Sequence, residues 1–581
     1  MTRNDYLQLF WNEINQATEE YIEKGLPELL MEDFELFFVN GNRLTYENKY
    51  FGRRKYLTAL GIKVLHEESS ENNSKNVELL SEVILSVCNE KFWALPAHVN
   101  RETKDELTID LFAAETAQTL SEMVYLMSDK LPDNIIERVL AEVNRRVLTP
   151  FIESQIPYSW WEHDRCNWSA VCAGSIGMTA IYMNKMMQLS DENKSYCIKR
   201  VCDSMDCYLD GMEDDGACTE GLGYFSYGMS YYTAFAELLY RETNGSMDLM
   251  KKTKCEKIAK FQQKCYFGKG VSLSFSDGAI DESFLPGLTA YLAYCFDNIE
   301  TPDYSRARLF YADSCYRWVT NERNIRWLQE YVKHENEICK SEMANNQELK
   351  YDMLPSAQWF ICKDNDGNGF AAKGGNNDEN HNHNDIGHFM CIYNGDVLLT
   401  DLGAGEYTKD YFNENRYGIL CNRSLGHSVP LINGSEQCTG KEYMADEFWW
   451  DEDTKELKIS FASAYPEGLI DKIDRKIAMV SNYKSLELQI SDAFVKSNKT
   501  NYITENLITT YLPTVKDNQI KIEGEHAICQ IYVENVKDIH INTQIHSTHS
   551  GDRQEVYLIQ WDVQNDLTMT ICDIHIICKS K

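Results

Sequence analysis

Three of the 13 histidines in the sequence fall within eight residues, in the polar segment 380–388. Side chains alternate between the two faces of a β-strand, so His381 and His383 would point to the same side if this segment were a strand. Asp401, at the end of a predicted strand, and His427 follow further along the chain. Imidazole and carboxylate groups are common zinc ligands, so these residues are candidate ligands. A solvated, Asn-rich loop is the more frequent explanation of an isolated His-X-His pair, and spacing alone does not connect it to Asp401 or His427.

A second segment, residues 160–172, combines two adjacent tryptophans with the polar residues Arg165 and Asn167. Packing at the start of a helix is the more common use of a tryptophan pair. The functional interpretation is a carbohydrate-binding lip in which the polar Asn167 points at the ligand. The residue types alone favour the packing interpretation.

A Gly-rich turn in residues 215–223 leads into a predicted helix that begins near Ser226. Tyr224 and Tyr227 are three positions apart, so the first helical turn could present both hydroxyl groups on one face. Two half-buried tyrosines with no chemical role are the simpler alternative. In the segment 92–100, His98 is by default a structural histidine with its hydrogen bonds satisfied.

The elements that must position these residues change type along the chain. Up to about residue 330, apolar residues recur at helical spacing, and Pro132 and Asp133 indicate a helix start. The predicted helices contain three groups of residues: Leu120, Met123, Val124 and Met127; Ile136, Val139, Leu140, Val143 and Val147; and Met229–Tyr240. The uncharged stretch Cys166–Asn184 contains polar residues, so we predict a buried helix there and not a membrane span.

After about residue 345 the period changes to two, which is typical of half-buried strands. Alternating apolar residues occur at Leu457, Ile459 and Phe461, at Leu486, Leu488 and Ile490, and at Val556 and Leu558. Asn394-Gly395 and Asn433-Gly434 are turn signals between such runs. We therefore predict an all-helical domain over residues 1–345 and an all-β domain over residues 346–581, because a run of helices followed by a run of strands indicates separate domains.

Composition limits the classes of partner. The chain has 581 residues and a formal net charge of −33, which disfavours nucleic acid and anionic membranes as partners. No secretory signal is visible at the amino terminus, and the 19 cysteines include no Cys-X-X-Cys pair. We predict buried free thiols in a reducing, cytoplasmic compartment, although a removed signal would leave secretion open. A homo-oligomer is also left open.

Several common catalytic signatures are absent. The sequence has no Walker A motif, no dinucleotide-binding Gly-X-Gly-X-X-Gly after a strand, no Gly-X-Ser-X-Gly elbow and no His-Glu-X-X-His. Phosphoryl transfer, dinucleotide chemistry, α/β-hydrolase chemistry and zincin proteolysis therefore lose their usual support.

Taken together, the ordered segments resemble the heparinase II/III-like polysaccharide lyases over roughly residues 90 to 580. The segments that carry the resemblance are Trp93–His98, Asp110–Thr116, Asn167–Cys172, Asp215–Tyr227, His381–Asp385, Asp401–Gly403 and Arg423–His427. No single motif is specific, but their order is. The resemblance implies an (α/α) toroid over residues 1–345 followed by an antiparallel β-sandwich over residues 346–581.

The resemblance also implies β-elimination on uronate-containing glycans. It assigns to Asn167 the neutralisation of the uronate carboxylate, to Tyr224 the exchange of protons, and to His381 an action on the carboxylate or a share in the base role. Tyr227 is the alternative to Tyr224, because the Gly-rich turn can be aligned in more than one way. We expect the amide, the phenol and the imidazole to meet around one sugar acid.

The resemblance further implies that His383, Asp401 and His427 bind zinc with a mainly structural role, and it leaves another divalent cation open. Substrate contacts are expected from polar and aromatic residues in or near these segments. These residues are His98, Trp160, Arg165, Glu220, Tyr227, Tyr417 and Arg423. Arg165, Arg416 and Arg423 would supply the locally basic cleft that a protein of this net charge needs to bind a polyanion.

One departure concerns the residue after Asn167. Several members of the family have a second catalytic histidine there, whereas this chain has Trp168. Either His163 replaces it or the chain represents a branch without that histidine, and this leaves the uronate epimer open.

Three interpretations of function are therefore carried forward. The first is a lyase, with glycosaminoglycan oligosaccharides such as those of heparan sulfate, chondroitin or hyaluronan favoured over alginate and over long polymers. The second is a non-catalytic carbohydrate-binding protein, because a fold does not guarantee activity. The third is a toroid glycoside hydrolase that would use Glu220 and Asp215 as its two carboxylates.

Overall fold

A computed structural model describes residues 1–67, 71–332, 349–482, 484–516, 518–534, 536–563 and 568–581. The chain divides into two compact units. The helical unit comprises residues 1–212, 226–256 and 283–335, and the β unit comprises residues 213–225, 257–282 and 336–581. The predicted boundary between residues 345 and 346 lies outside the described residues and stays a prediction.

The amino-terminal part of the chain is helical over its described residues. The α-helices are Arg3–Lys24 (α1), Met31–Asn40 (α2), Leu44–His66 (α3), Glu71–Cys88 (α4), Leu111–Leu126 (α5), Asp133–Val143 (α6), Thr149–Glu153 (α7), Asn167–Lys185 (α8), Asp191–Gly211 (α9), Leu222–Glu242 (α10), Thr253–Ala259 (α11), Phe261–Lys264 (α12), Pro286–Cys295 (α13) and Trp318–Glu330 (α14). None of the described helices has the length and apolar character needed to cross a bilayer.

The helices predicted from apolar spacing are confirmed. Asp110 caps α5 by accepting a hydrogen bond from the Ala113 N–H at 2.7 Å, which satisfies one of the donors left free at a helix start. The pattern that begins at Ile136 forms α6 and then continues through a π turn at Asn144–Leu148. Helix α8 is the predicted buried helix; a Cβ atom on its Gly177 would lie 2.5 Å from the Phe235 ring, so this contact requires glycine.

The β unit contains the strands. They are Lys350–Leu354 (β1), Trp359–Lys363 (β2), Gly369–Lys373 (β3), Asn376–Asn377 (β4), Phe389–Tyr393 (β5), Asp396–Leu399 (β6), Leu431–Ile432 (β7), Gly440–Met444 (β8), Glu447–Asp451 (β9), Glu456–Ser460 (β10), Lys472–Asn482 (β11), Ser485–Val495 (β12), Ile503–Thr509 (β13), Thr514–Lys516 (β14), Gln519–Glu523 (β15), Ala527–Val533 (β16), Lys537–Ser547 (β17), Arg553–Asp562 (β18) and Met569–Ser580 (β19).

The larger sheets are built from antiparallel pairs. Their strand orders are β1-β2-β3-β5-β6, β14-β15-β16-β19-β12-β11-β10-β9 and β17-β18-β13-β7. Strand β12 shows the predicted alternation, because Leu486, Leu488 and Ile490 are buried in the core of the unit. The expected turn at Asn394-Gly395 connects β5 to β6. Both residues have positive φ, which lets a two-residue hairpin turn match the right-handed twist of its strands.

Two loops of the β unit carry the candidate site, and a buried arginine on β11 joins them. Arg475 donates hydrogen bonds to the Gly387 carbonyl at 2.8 Å and to the Ser428 carbonyl at 2.7 Å. Its charge is balanced by Asp492, whose carboxylate accepts from the guanidinium at 2.5 Å. The loop that ends at β5 and the loop that ends at β7 are therefore fixed to the sheet core. The described cysteines are free thiols, most of them buried, as predicted.

Candidate functional site

A single buried carboxylate, that of Asp277, collects four hydrogen bonds in the β unit. The Nδ1 atom of His381 lies 2.5 Å from Oδ2, and the Tyr407 hydroxyl donates to the same oxygen at 2.9 Å. The Nε2 atom of His383 lies 3.2 Å from Oδ1, and the Tyr411 hydroxyl also donates to that oxygen. The carboxylate therefore joins two imidazoles and two phenols into one cluster.

The turn that carries Asp277 packs closely against a second loop, and a glycine on that loop allows the close approach. Ser276, just before Asp277, has a left-handed φ of 58°. On the facing loop Gly403 has a φ of 59°, and a Cβ atom there would lie 1.9 Å from the Gly278 carbonyl oxygen. The two loops can approach this closely only with glycine at 403. The Ser274 hydroxyl donates to the Asp401 carbonyl at 3.2 Å and adds a further connection between the loops.

The charges in this cluster reinforce one another. Burial alone would raise the pKa of Asp277, but the charges and hydrogen bonds of His381 and His383 outweigh it and hold the pKa well below its usual range. Burial alone would lower the pKa of His381, but the neighbouring Asp277 outweighs it and raises the pKa. Because each charged form is stabilised by the other, His381 carries a proton on the nitrogen that faces Asp277.

Tyr224 lies in the first turn of α10 and joins the cluster through two contacts. Its hydroxyl is 2.7 Å from the Tyr407 hydroxyl, and its ring stacks on the His381 imidazole at a centroid distance of 4.2 Å. Burial, followed by the negative charge of Asp277, raises the pKa of Tyr224. Tyr224 and His381 are therefore in contact within the β unit, whereas their meeting with Asn167 around one sugar acid stays a prediction.

The segment that carries His381 and His383 is not a strand, so the condition under which the two side chains would share one face is not met. Residues 380–388 form turns and loop, and His381 has a left-handed φ of 56°, which a strand does not allow. The chain is held there by hydrogen bonds to other segments, such as the Asn384 N–H to the Asn422 carbonyl at 3.0 Å. Both imidazoles nevertheless contact one carboxylate, because the turn brings them to opposite oxygens of Asp277.

The predicted cation ligands lie together, with one addition. His383, Asp385, Asp401 and His427 are buried, and one possible ligand atom from each lies within 4.8 Å of the others. Asp385 was not predicted as a ligand. Lys373 lies 2.8 Å from its Oδ1 atom and is itself fully buried, so its ammonium group balances the Asp385 charge.

The donor set fits a zinc ion. His383 directs Nε2 at Asp277, and His427 directs Nε2 at the Cys421 carbonyl at 2.8 Å, so these nitrogens carry the protons. The Nδ1 atoms of both rings are left with lone pairs, and neither they nor Asp401 Oδ2 has a hydrogen-bond partner. Buried acceptors of this kind are expected where a metal binds, with the other ring nitrogen held by a second group.

His388 lies beside these four residues but differs from them in its hydrogen bonding. Its Nδ1 atom accepts a hydrogen bond from the Ser428 N–H at 2.9 Å, and its Nε2 atom lies 3.3 Å from Asp401 Oδ2. The neutral ring therefore carries its proton on Nε2, which faces Asp401 Oδ2 without forming a hydrogen bond to it. Burial lowers the pKa of His388 to about 3, which keeps the ring neutral at ordinary pH.

Asn167, Trp160, His98 and Arg165 lie in the helical unit. Asn167 is the buried first residue of α8, and Trp160, seven residues earlier in the chain, is 55% exposed. The Trp160 and Trp168 rings are 5.0 Å apart, and the His98 ring is 4.8 Å from Trp168. His98 Nδ1 also lies 2.7 Å from Asp110, so it has a structural partner, whereas Arg165 is exposed. The structure does not test the roles assigned to these residues, which stay predictions.

Tyr227 has partners of its own in the helical unit. Its hydroxyl donates to Glu115 at 2.5 Å, and the Arg317 guanidinium lies 4.1 Å from its ring centre. Burial, followed by the charge of Glu115, raises the pKa of Tyr227 well above its usual value. The phenol is therefore held by a carboxylate, in contrast to Tyr224, whose phenol faces another phenol.

The remaining predicted residues lie in the β unit. Glu220 is 3.4 Å from His381 Nε2, and the Tyr417 hydroxyl accepts a hydrogen bond from Asn382 at 3.3 Å. Arg423 is neutralised by Glu436, to which its Nε donates at 3.0 Å. Arg416, predicted to make the cleft basic, donates to backbone carbonyls at Asn382 and Tyr411 and lies 3.8 Å from Asp277.

Sequence reasoning missed Asp277, Tyr407 and Tyr411, which complete the cluster. Asp277 stands in Ser276-Asp277-Gly278, which has the composition of an ordinary turn. Tyr407 and Tyr411 stand in a polar segment without a motif. The only local signal was the proximity of this segment to Asp401-Leu402-Gly403, and it does not identify individual residues.

No protein-family model matches the sequence, and no curated protein matches it. Solved structures similar in fold include the following three. A mutant of the heparan sulfate lyase HepC from Pedobacter heparinus has a TM-score of 0.58 at 10% identity, covering 93% of this chain and 77% of that one. A heparinase III has a TM-score of 0.58 at 12% identity, covering 93% and 80%. The chondroitin AC lyase of Streptomyces coelicolor A3, in complex with chondroitin sulphate, has a TM-score of 0.51 at 10% identity, covering 99% and 79%.

At sequence identities of 10–12%, these similarities establish the fold of the chain. The chain has the fold of heparinase III and chondroitin AC lyase, in which helices precede antiparallel sheets. The expected fold class, an (α/α) toroid followed by an antiparallel β-sandwich, is therefore confirmed. The resemblance to heparinase II/III-like polysaccharide lyases is confirmed at the level of the fold.

Proposed function

We propose that the protein is a polysaccharide lyase that cleaves uronate-containing glycans by β-elimination. The observation that carries this proposal is the contact of Tyr224 with both Tyr407 and His381, next to a carboxylate that orients the imidazole. A phenol beside a fixed imidazole can both accept and return a proton, which is what an elimination at a sugar ring requires.

The reaction needs two proton transfers and one developing charge. A base removes the proton from C5 of the uronate, and the electron pair is delocalised into the adjacent carboxylate as an enediolate. The C4–O4 bond then breaks, a C4–C5 double bond forms, and an acid protonates the leaving O4. Donors fixed beside the carboxylate lower the barrier, because they stabilise the charge as it develops.

The residues of the β unit fit these roles. Tyr224 reacts as the phenolate, after its own proton has passed to solvent; the phenolate takes the C5 proton and returns it to O4, while the His381 imidazolium donates from Nε2 to the uronate carboxylate. The raised pKa of Tyr224 makes its phenol a poor base at rest, so the nearby cationic imidazole is needed to stabilise the phenolate. Asp277 in turn stabilises that imidazolium.

Asn167 is assigned the neutralisation of the substrate carboxylate through the resemblance. Two features of the helical unit support this role. Asn167 is the first residue of α8, where unpaired backbone N–H groups and the helix dipole favour an anion. The exposed Trp160 beside it offers an apolar ring face to a sugar.

A zinc ion held by His383, Asp401 and His427, with Asp385 beside them, would supply a structural cross-link between the two loops of the site. The proton transfers would be carried out by Tyr224, assisted by His381, and not by the ion. His383 is held by the same carboxylate as His381, so the cation site and the proton-transfer site share a fixed frame.

The substrate class we favour is a glycosaminoglycan oligosaccharide, because the similar structures are named as heparan sulfate and chondroitin lyases. An alginate oligosaccharide is the second choice, and a non-catalytic carbohydrate-binding protein is the alternative to both. The hydrolase interpretation loses support, because Asp215 accepts hydrogen bonds from the backbone N–H groups of Ala217, Ser356 and Ala357 and serves as a structural cap.

The test is an assay for the unsaturated product. Heparan sulfate, chondroitin, hyaluronan and alginate oligosaccharides are incubated in parallel, and the ultraviolet absorbance of the 4,5-unsaturated uronate is followed. We expect a rise with at least one glycan, a loss of about 100-fold or more in Tyr224→Phe, and no change in the control Tyr532→Phe, a tyrosine that is 39% exposed on β16.

Two outcomes would contradict the proposal. Cleavage that produces reducing ends without the absorbance rise would indicate hydrolysis. Binding of a glycan without cleavage, equal in wild type and in Tyr224→Phe, would indicate a non-catalytic protein. Comparison of tetrasaccharides with long polymer tests the preference for short chains.

A further inference from the structure

We propose that Asp277 is the positioning residue that orients the imidazole of His381 and the cation ligand His383 at the same time. Its effect on the reaction rests on the proposed function, whereas its effect on cation binding does not. Asp277 does not need to touch the substrate for either effect, because it acts through the two histidines.

The two oxygens of the carboxylate are divided between the two rings. Oδ2 lies 2.5 Å from His381 Nδ1, and Oδ1 lies 3.2 Å from His383 Nε2. A carboxylate only accepts, so each of these nitrogens carries a proton. This fixes opposite tautomers when the rings are neutral: His381 presents Nε2 to its surroundings, and His383 presents the Nδ1 lone pair to Asp401 and His427.

The two phenols make a carboxylate necessary at this position. Tyr407 donates to Oδ2 and Tyr411 donates to Oδ1, so each oxygen receives one N–H and one O–H donor. An amide has a single acceptor oxygen, and its NH2 group would face two donors. Asparagine would therefore release one histidine from its orientation even though it has nearly the same shape.

Burial makes this arrangement rigid. The Asp277 side chain is fully buried, and the Arg416 guanidinium 3.8 Å from Oδ1 adds a positive charge on one side. On the other side, Glu220 lies 3.4 Å from His381 Nε2, which is the nitrogen that Asp277 leaves for a substrate group. Low local polarity strengthens each of these hydrogen bonds, so loss of one is not compensated by water.

The same geometry links the cation site to the proton-transfer site. A partner that holds the second nitrogen of a metal-binding histidine commonly contributes a factor of about 10–100 to metal affinity. Here that partner also holds the His381 ring on which Tyr224 stacks. One substitution should therefore weaken cation binding and slow catalysis together, although the two functions use different histidines.

The experiment measures both effects on the full-length chain. Zinc affinity is measured by competition with a chromophoric chelator, zinc content is measured after dialysis, and kcat and KM are measured with the glycan that wild type cleaves. The variants are Asp277→Asn and Asp277→Glu, the second of which keeps the charge but shifts the oxygens by one methylene. The control is Asp396→Asn, a buried carboxylate of the same unit that accepts from the His526 and Ala527 N–H groups.

We expect Asp277→Asn to bind zinc about 10–100-fold more weakly and to lose a comparable or larger factor in kcat, with KM changed by less than about threefold. Asp277→Glu should show the same two losses, and Asp396→Asn should show neither. Circular dichroism and thermal melting verify folding. If Asp277→Asn does not fold, Asp277→Glu carries the test.

Wild-type zinc affinity in a folded Asp277 variant would overturn the proposal, and so would weakened zinc binding with wild-type kcat. If wild type cleaves none of the glycans, the proposed function fails. The zinc measurements then still decide whether Asp277 holds His383.

Discussion

The hydroxyl groups of Tyr224 and Tyr407 lie 2.7 Å apart, and Tyr407 donates its own proton to Asp277 at 2.9 Å. Because the Tyr407 proton is used in that bond, Tyr224 is the donor to the Tyr407 oxygen. The three residues therefore form a directed chain of hydrogen bonds that ends on a buried carboxylate. Tyr224 holds its proton at rest. Once that proton is lost, the phenolate oxygen faces the Tyr407 oxygen without a donor, unless the Tyr407 hydroxyl turns from Asp277 toward it.

Tyr407→Phe tests this chain. The substitution removes a hydrogen bond to a charged group and leaves the ring in place, so we expect kcat to fall by about 10–100-fold with little change in KM. The measurement is steady-state kinetics by product absorbance. Tyr502→Phe, at a tyrosine 45% exposed before β13, is the matched control. Equal rates in Tyr407→Phe and wild type would show that the phenol has no part in the reaction.

Asn167→Asp tests the assignment made to the start of α8. A carboxylate in place of the amide would repel the uronate carboxylate and leave the enediolate unstabilised, so kcat/KM should fall by more than about 100-fold. Asn167→Ala should fall less, because it removes the donor without adding a charge. Asn193→Asp near the start of α9 adds the same charge away from the proposed site. If Asn167→Asp retains wild-type kcat/KM, the residue has no contact with the reacting sugar.

Removal of the cation should destabilise the β unit. Without an ion, His383 Nδ1, His427 Nδ1 and Asp401 Oδ2 stay buried without partners, and each unsatisfied polar group costs about 1–3 kcal/mol. We expect dialysis against a chelator to lower the melting temperature, and zinc to restore it. His427→Ala should melt at one temperature with or without zinc. His526→Ala, at an exposed histidine, should keep the wild-type response.

Zinc-independent melting of wild type would contradict the assignment of a cation site to these residues. Restoration by calcium or magnesium but not by zinc would identify a harder cation, because those ions prefer oxygen ligands.

Part of this structure could be predicted from residue patterns. The spacing of Leu120, Met123 and Val124 predicted α5, and the alternation of Leu486, Leu488 and Ile490 predicted β12, because burial of one face imposes a period that is visible locally. The grouping of His383, Asp401 and His427 came through the resemblance. It did not follow from spacing, since residues this far apart in the chain are brought together only by the fold.

Other parts had no local signal. Asp277 looks like a turn residue, and its role depends on His381 and His383 more than 100 positions later. His381 does not lie on a strand, because contacts with other loops stabilise a left-handed φ that local propensity disfavours. Side chains at functional sites often break local rules in this way, so the sequence identified the histidines but not the carboxylate that orients them.

The helical unit should lose stability in mild acid because of His66. Burial, followed by repulsion from Lys130 and Arg326, lowers the pKa of His66 from 6.5 to about 4. Above pH 6.5 the imidazole is neutral in both the folded and the unfolded chain. As the pH falls from 6.5 to about 4, the unfolded chain takes up a proton before the folded chain does, so the unfolding free energy decreases.

We expect this single group to cost about 2 kcal/mol at pH 4.5. His66→Phe cannot take up that proton, so its unfolding free energy should decrease less between pH 7.5 and pH 4.5 than that of wild type. Urea unfolding at the two pH values measures the difference. His526→Phe, at an exposed histidine, is the control, and a decrease in His66→Phe as large as in wild type would refute the assignment.

Substitution of Arg475 in the sheet core should strongly destabilise the β unit. It is fully buried with Asp492, and Glu505 Oε2 lies 3.6 Å away. Burial, followed by the charge of Asp492, raises the pKa of Glu505 well above its usual value, so Glu505 is neutral and one arginine balances one aspartate. Arg475→Met would leave the Asp492 charge buried without a partner, which costs about 3–5 kcal/mol.

The same substitution would release the two loops of the site, because Arg475 holds the Gly387 and Ser428 carbonyls. We therefore expect Arg475→Met to lower both the urea midpoint and the zinc affinity. Lys476→Met, the adjacent residue on β11 with a side chain 51% exposed, removes a surface ion pair and should change stability by less than about 1 kcal/mol. The double variant Arg475→Met with Asp492→Leu should recover part of the lost stability, since no unpaired charge remains although the two carbonyls still lack their donor. It should not recover zinc affinity, since the loops are no longer held together. Recovery of both properties would show that charge balance alone, and not the two carbonyl contacts, keeps the cation ligands in place.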